Sequence, residues 1–467
     1  MSFIKLEDIS FSYGESEREA ISHIDLNIKQ GEAVLLCGAS GCGKSTLLQI
    51  INGILPEQRE GNLQGEIFVD GENARKQSAK EKSKIMGSVF QNPKSQFFHL
   101  NTTDELFFAT ANHLVTLTEM EKRLLEITSS FKIKELVNRN IFMLSGGEKQ
   151  KIACASVAMN GPKVYLLDEP SSNLDERSID DLREILKVLK EQGATIIIAE
   201  HRLHYALEIC DKVCYMKDGE IQQEYSKEQF VQINEADRKQ MGLRSFVKVE
   251  KPDISEEITD EKLLLENMSV NYGNINAVNI ERLELPKHKI IAILGKNGAG
   301  KSSFVNAFTG LIKTKGALLD GKKLKVKEQQ KNSFMVMQDV NSQLYCESAI
   351  DELIHMTDES DEIKNKARDV LDKLNLLSVE EEHPMVLSGG QKQRLAIATA
   401  LFLEKKYLIF DEPTSGLDYD NMIRVAEVLH ELKSKVELVL VITHDMELVQ
   451  TCADYIIEIK EGRKNGK

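Results

Sequence analysis

No apolar run in this chain approaches the ~20 residues a membrane-crossing helix requires. The longest, at positions 34–37, 195–199 and 438–443, are strand-sized. The opening MSFIKLEDIS carries acidic side chains and no apolar core, so no secretory leader is expected. Cysteine is scarce and unpatterned. There are seven, an odd number without a CxxC pair, which argues against a disulfide framework or zinc ribbon and for a reducing cytosol. Positive charge is not in excess either: 60 Lys+Arg against 74 Asp+Glu give a net charge of -14, which disfavours a nucleic-acid backbone as the main partner. Compositional extremes are also missing. With 41% hydrophobic and 29% charged residues, wholesale disorder and collagen-like architecture are excluded. At roughly 150 residues per domain, a chain of 467 residues has room for three domains or two large ones.

What the chain does have is a duplication. GASGCGKS at 38–45 recurs as GKNGAGKS at 295–302, LSGGEKQK from Leu144 recurs as LSGGQKQR from Leu387, and LLDEP from Leu166 recurs as IFDEP from Ile409. Lys44 and Lys301 are offset by 257 positions, whereas Ser145/Ser388, Asp168/Asp411 and His201/His444 are offset by 243. The first copy therefore holds 14 more residues between the glycine loop and LSGG, where insertions are expected in the loops between elements. KVEKPDISEEITDEK, at 248–262, is charged and poor in apolar residues and reads as an exposed linker with the boundary near 255. The organisation expected is a first domain over 1–247, the linker 248–262, and a second domain over 263–467. In each copy, short β-branched runs such as VYLLDE, ATIIIAEH, YLIFDE and ELVLVITH alternate with helical patterns. Such runs fit strands buried on both faces of a mostly parallel sheet, so the class is α/β. Leu395, Ala398, Leu401 and Phe402 recur at helical spacing after the second LSGG, which places LSGG at a helix start.

The glycine loops carry the first chemistry. GxxxxGK[ST] arises by chance in roughly one chain in sixty of this length, and here it occurs twice, each time after an apolar run. Gly38, Gly41 and Gly43, and likewise Gly295, Gly298 and Gly300, let backbone N–H groups turn inward around an anion at a helix N-terminus. Lys44 and Lys301 should reach the β- and γ-phosphates, with Ser45 and Ser302 placing a hydroxyl on Mg²⁺ and Thr46 and Ser303 following in the nucleotide-binding segment. Each copy also has an apolar strand ending in adjacent acids, a placement that is costly unless a cation offsets it. Asp168 and Asp411 are assigned to the Mg²⁺ shell, and Glu169 and Glu412 to general-base activation of the attacking water. About 30 residues on, a further strand ends in His201 or His444, each a candidate hydrogen-bond donor to the γ-phosphate.

This ordered set resembles the nucleotide-binding domains of ATP-binding cassette proteins twice over, covering nearly the whole chain. The resemblance rests on the phosphate loops, the glutamines Gln91 and Gln338, the LSGG signatures, the acidic strands, the SSNLD and TSGLD turns with Asp175 and Asp418, and the histidines. It implies tandem P-loop NTPase domains, with helical signature subdomains over about 92–160 and 339–403 and with Gln91 and Gln338 near the metal. It also implies that the signature of one cassette closes over the ATP of the other within this chain. Lys44, Glu169 and His201 would then join Ser388, Gly389 and Gly390, and Lys301, Glu412 and His444 would join Ser145, Gly146 and Gly147. Tyr13 and Tyr272 match the position that stacks on adenine. The glutamine segments QNPKSQFFHLNTTDEL and QDVNSQLYCESAIDEL align without gaps and share Ser-Gln and Asp-Glu-Leu.

These segments look like those of energy-coupling factor importers. That likeness implies an ATP-hydrolysing subunit, with ATP and Mg²⁺, held at the cytoplasmic face of the membrane by an integral coupling protein, while a separate membrane protein binds a vitamin or metal ion. A soluble twin-cassette factor acting on the ribosome is the alternative, because LSGGE at 144–148 is common there; the short linker and acidic chain speak against it. Glu148 stands where the signature usually has Gln, an unfavourable charge near a triphosphate unless it points away. Cys37 and Cys42 flank the first phosphate loop as packing residues, and Cys210 and Cys214 are expected on one helical face without a metal set.

Overall fold

The computed structural model describes residues 2–14, 18–57, 59–172, 174–254, 261–273, 275–355, 357, 360–403, 405–460 and 463–465. The chain divides into two compact units, Met1–Lys248 and Val249–Lys467. The expected linker starts at this division. The boundary expected near 255 lies outside the described residues, as do all of 255–260.

The first unit is built on a parallel sheet whose central strand, Ala33–Cys37, is wholly buried. It lies between Lys212–Lys217 and Thr195–Ala199, and beyond the latter come Val164–Asp168 and Met86–Val89. Alternate residues of these apolar strands serve opposite layers, as the two-residue side-chain period requires. Val34, Leu36, Leu166 and Ile197 pack with Leu47 and Ile50 of the helix Lys44–Ile51 and with an antiparallel sheet. Leu35, Leu167, Ile196 and Ile198 face Ile152, Ile179 and Leu182 on the helices Gly146–Ala158 and Glu176–Glu191. Each strand thus contributes to two hydrophobic clusters, which accounts for runs without polar alternation.

The second unit repeats this plan. Ile290–Leu294 lies between Tyr455–Lys460 and Leu438–Ile442, followed by Tyr407–Asp411 and Ser333–Val336. Here the short strand Arg463–Asn465 pairs with both Tyr455–Lys460 and the antiparallel strand Ile275–Pro286, so the two sheets merge into one of ten strands. Helices follow each glutamine segment: Thr102–Asn112, Leu117–Ser130 and Gly146–Ala158 in the first unit, and Ala349–Ile354, Asp361–Lys373 and Gly389–Phe402 in the second.

Two local readings need amendment. The extra residues of the first copy are not confined to loops. The offset drops from 257 at Gly53/Gly310 to 250 at Asp70/Asp320, and this added length lies where the nine-residue strand Gly61–Val69 replaces the two-residue Leu318–Leu319. The longer strand runs beside the whole of Ile4–Tyr13, from Ile4↔Val69 to Tyr13↔Gly61, so the added backbone is hydrogen-bonded rather than looped out. Cys210 and Cys214 do not share a helix. Cys210 follows the helix Leu203–Leu207 and Cys214 lies in the strand Lys212–Lys217, where the continuous apolar run sends Val213 and Tyr215 to one hydrophobic cluster and Cys214 and Met216 to the other. The first unit also continues past its sheet into Lys227–Phe230 and Glu235–Gln240, where Phe230 lies between Tyr225 and Phe246 with ring centroids 5.5 and 4.6 Å away.

Ile198 is fully buried between the helical layer and the sheet. Ile198→Ala should cost about 2–5 kcal/mol, seen as a lower midpoint of urea unfolding; an unchanged midpoint would place the side chain outside the core.

Candidate functional site

The glycine loops connect the central strand of each parallel sheet to the helix behind it. Gly43 has φ 101° and Gly300 φ 99° at the helix entries. A Cβ would come within 2.6 Å of Ile21 Cδ1 at Gly43 and within 2.1 Å of the Ala277 carbonyl at Gly300, so both the backbone conformation and the space demand glycine. Lys44 folds back into its loop, its Nζ donating to the Gly38 and Ala39 carbonyls at 3.0 Å each. Lys301 does the same toward Gly295 at 2.5 Å and Lys296 at 3.1 Å. Two buried ammonium groups therefore sit where the backbone opens to an anion. Tyr13 packs edge-on against Phe11, with its hydroxyl 3.0 Å from Thr46 Oγ1, whereas Tyr272 is 52% exposed.

The acids arrive from the next-but-one strand. Val164–Asp168 ends in Asp168, whose Oδ1 accepts a hydrogen bond from Ser45 Oγ at 2.7 Å. Burial pushes Asp168 up to about 6 against that hydrogen bond, and burial likewise pushes Asp411 to about 6 against Lys301 and a hydrogen bond from Ser302. A hydroxyl and a desolvated carboxylate are hard oxygen donors short of positive charge, which fits Mg²⁺. The following glutamates take positive φ, 42° at Glu169 and 52° at Glu412, a costly conformation that turns each side chain off its strand. Their N–H groups stay tied to the neighbouring strand, to the Ala199 carbonyl at 2.8 Å and the Ile442 carbonyl at 2.9 Å.

The surroundings of the two glutamates differ in one respect, that Thr443, a donor to Glu412, has Glu200 at its place in the first copy. Glu169 accepts from Gln91 Nε2 at 2.8 Å and Ser172 Oγ at 3.3 Å, and lies 3.4 Å from His201 Nε2. Burial alone would raise its carboxyl, but the His201 charge and hydrogen bond, with Lys44 and Ser172 behind them, hold it below the usual range. Glu412 accepts from Thr443 Oγ1 at 3.4 Å and the His444 N–H at 3.3 Å, with His444 Nε2 at 3.7 Å. His444 Nε2 also lies 3.1 Å from Lys301 Nζ. Gln338 is exposed at the position equivalent to Gln91. In the first unit Lys44, Ser45, Asp168, Glu169, Gln91 and His201 thus form one cluster; in the second the cluster is Lys301, Ser302, Asp411, Glu412 and His444.

The signature serines lie outside these clusters. Ser145 caps the helix Gly146–Ala158 and Ser388 caps Gly389–Phe402, each in a reciprocal capping box. Glu148 accepts the Ser145 N–H at 2.8 Å and Gln391 accepts the Ser388 N–H at 2.9 Å. The carboxylate of Glu148 is therefore turned back on its own helix end and does the work that Gln391 does with an amide oxygen. Asp175 and Asp418 cap the helices Glu176–Glu191 and Tyr419–Lys433.

Sequence reasoning missed two sets of residues. The shared Ser-Gln and Asp-Glu-Leu elements turn out to fasten the glutamine segments. Gln96 accepts the Phe90 N–H at 3.3 Å and Gln343 the Met337 N–H at 3.1 Å. Glu105, nearly buried, accepts the Phe98 and His99 N–H groups at 2.9 Å, and Glu352 takes those of Tyr345 and Cys346. Also unforeseen were Glu200 and Asp445, buried acids on either side of the histidines; the contrast of AEHR with ITHD was the available signal.

A glycine loop entering a helix beside strand-end acids, repeated in two α/β units, defines a tandem P-loop nucleotide-binding ATPase. The sequence model described as "ABC transporter" matches residues 21–172 and 278–415, and the chain belongs to that family, with two cassettes in one polypeptide. It is 40% identical over 98% of its length, and 96% of the relative's, to a provisionally named ABC transporter ATP-binding protein of Treponema denticola. A similarly named protein of Streptococcus pneumoniae is 31% identical, with 99% of this chain and 90% of that one covered. Among solved structures, an archaeal ABCE1, the ribosome recycling factor in complex with ribosomal stalk protein aP1, aligns with 98% of this chain and 89% of its own at TM-score 0.65 and 22% identity, a likeness of fold. Among the described residues no helix is long and apolar enough to cross a membrane.

Because Asp168 titrates near 6 in the folded chain against 3.8 in the reference state, its contribution to stability is fully present below 3.8 and is lost as pH rises through about 6. Asp168→Asn should raise the melting temperature of the nucleotide-free protein above pH 6 and abolish part of the added stabilisation by Mg²⁺ with ATP. In the unchanged protein that added stabilisation should fade as pH falls through about 6. Thermal unfolding with and without Mg²⁺ and ATP across this range reads both; a lower melting temperature for Asp168→Asn would contradict the assignment.

Proposed function

We propose that this chain is the ATP-hydrolysing subunit of a membrane importer, of the energy-coupling factor type, for a vitamin or a metal ion. The chemistry follows from the residues. Lys44 and Lys301, with the helix entries behind Gly43 and Gly300, bind the phosphate chain. Ser45 with Asp168, and Ser302 with Asp411, hold Mg²⁺, which supplies charge neutralisation at the transferred phosphoryl group. Glu169 and Glu412 orient and deprotonate water. Gln91 links Glu169 to the segment that leaves the sheet, and Gln338 takes the equivalent role in the second copy once nucleotide is bound. His201 and His444 donate to the γ-phosphate. Tyr13 and Tyr272 flank the base.

The nucleotide-bound state we infer is an intrachain sandwich. Ser388, Gly389 and Gly390 complete the Lys44 pocket, and Ser145, Gly146 and Gly147 complete that of Lys301. A helix N-terminus beginning Ser-Gly-Gly is a second anion cradle that one phosphate chain in one cassette does not need. Nucleotide then supplies the differential contact a switch requires, because the γ-phosphate touches both halves only in the closed form.

The observation that carries coupling to a membrane partner is the apolar surface after each glutamine segment. Phe98 and Phe142 are each 74% exposed in the first copy, and Tyr345 and Met385 are 68% and 60% exposed in the second. The Ile141 N–H bonds to the Leu100 carbonyl, which brings the two stretches of the first copy together. Apolar side chains presented in a cluster beside a nucleotide-linked loop suit the coupling helices of an integral membrane subunit. The transport-related names of the relatives support the same reading. Glu148 gives no weight to the ribosomal alternative, since it caps its helix as Gln391 does.

Purification of the tagged chain from detergent-solubilised membranes, with identification of what accompanies it, tests the partner: integral membrane proteins are expected, and ribosomal subunits would overturn the reading. Lys44→Ala and Lys301→Ala should each remove most transport-coupled hydrolysis; full activity of either variant would make that site a spectator. Glu169→Gln and Glu412→Gln should bind ATP and accumulate the closed form, and normal turnover by Glu412→Gln would refute the base assignment.

A further inference from the structure

The segment that follows the strands Thr195–Ala199 and Leu438–Ile442 carries the histidine and a buried acid in both copies, but with the acid on opposite sides of the histidine. The first copy reads Ala199-Glu200-His201-Arg202 and the second Ile442-Thr443-His444-Asp445, so Glu200 aligns with Thr443 and Arg202 with Asp445 at the common offset of 243. Glu200 is 2% exposed and Asp445 7%. A buried carboxylate is expensive, and an apolar residue of similar size would serve stability as well. Each of these acids is held by several donors, and those donors come from the same two places.

Glu200 Oε1 accepts the N–H groups of His201 at 2.8 Å and Arg202 at 3.1 Å. Its Oε2 accepts the Tyr205 hydroxyl at 2.7 Å and, across the sheet end, the Ser171 N–H at 3.3 Å. Ser171 lies two residues after Glu169, in the turn that leads to Asp175. In the second copy Asp445 Oδ1 accepts the N–H groups of Glu447 and Leu448 at 3.1 and 3.2 Å, just after the histidine. Its Oδ2 accepts the hydroxyl of Thr414 at 2.6 Å. Thr414 aligns with Ser171 and lies two residues after Glu412. The acid has moved two positions along the chain, yet it joins the same two segments. The position vacated in each copy is also used: Arg202 Nη1 donates to the Leu174 carbonyl of the turn at 3.0 Å, and Thr443 Oγ1 donates to Glu412.

We propose that Glu200 and Asp445 are positioning residues for ATP hydrolysis, each fixing the turn after the general base to the histidine segment so that Glu169 with His201, and Glu412 with His444, hold their relative placement. The inference rests on Glu169 and Glu412 being the bases. Two copies that reach one linkage by different residues point to the linkage as the constrained feature, and the requirement is mechanical: a glutamate at positive φ is strained, and the bond from the buried acid ties the turn that follows it to the histidine segment. The side-chain bonds of Glu200 all go to the turn and the histidine segment, so ATP affinity should depend on it little.

Swapping the arrangements is the test. Glu200→Thr in the full chain should lower kcat at least about twofold, the share of one site in two, with KM for ATP little changed. Adding Arg202→Asp should restore kcat, because Ser171 already offers the hydroxyl that Thr414 offers to Asp445. Thr414→Val, which removes the cross-turn bond of the second copy, should lower kcat similarly when assayed well below its melting temperature, which falls because the buried Asp445 carboxylate loses a donor. An unchanged kcat in Thr414→Val, or a loss in Glu200→Thr that follows its melting temperature and is not recovered by Arg202→Asp, overturns the proposal. If Glu200→Thr misfolds, Thr414→Val decides alone. Glu169→Gln separates the two readings: loss of turnover there with full turnover in Thr414→Val refutes the positioning role only, whereas normal turnover in Glu169→Gln refutes the base assignment.

Discussion

The carboxylates of Asp168, half-buried, and Asp411, buried, sit at the ends of sheet strands, each facing one hydroxyl from the helix that follows a glycine loop. Much of the architecture can be derived from that constraint. A charge so placed is tolerable only where a cation completes it, so the loop, the serine and the acid have to meet at one end of the sheet. Parallel strands provide the meeting point: Ala33–Cys37, Thr195–Ala199, Val164–Asp168 and Met86–Val89 all run the same way, and their carboxyl ends deliver lysine, histidine, acids and glutamine together. The second unit obeys the same rule with Ile290–Leu294 at its centre.

Within that shared frame the copies have diverged in their hydrogen bonding. Thr443 donates to Glu412, whereas Glu200 at the equivalent position accepts from the Ser171 N–H, and His444 lies close to Lys301. These are differences in which polar group satisfies a buried carboxylate. They leave the sheet order untouched because they occur in turns beyond the strand ends, where the backbone is not committed to the ladder. The substitution of glutamate in the first signature belongs to the same class of change. Glu148 and Gln391 both return an oxygen to the N–H of the capping serine, so a change of formal charge has been absorbed without a change of geometry.

Much of this protein was legible in its residues. The duplication, the α/β class and the phosphate loops follow from patterns only a few residues long, because a glycine forced to positive φ and a strand buried on both faces leave direct marks on composition. The acids were legible too, since two adjacent carboxylates closing an apolar run have few structural uses. The form of the first copy's insertion was not: the residues that lengthen Gly61–Val69 form a strand only because Ile4–Tyr13 lies alongside to pair with them. Nor was the role of Glu105, whose acceptance of two backbone N–H groups depends on a turn closing onto the start of its helix.

The sequence by itself determined the chemical inventory and its order along the chain, because glycine, lysine, serine and paired acids are dictated by local backbone geometry and by the charge of phosphate. Only the tertiary structure decided which donor reaches which carboxylate. Gln91 meeting Glu169, Ser45 meeting Asp168 and Glu200 meeting Ser171 are contacts between residues 78, 123 and 29 positions apart. A hydrogen bond requires atoms within about 3 Å of one another, and that proximity is set by the packing of strands and helices rather than by any pattern that either partner carries.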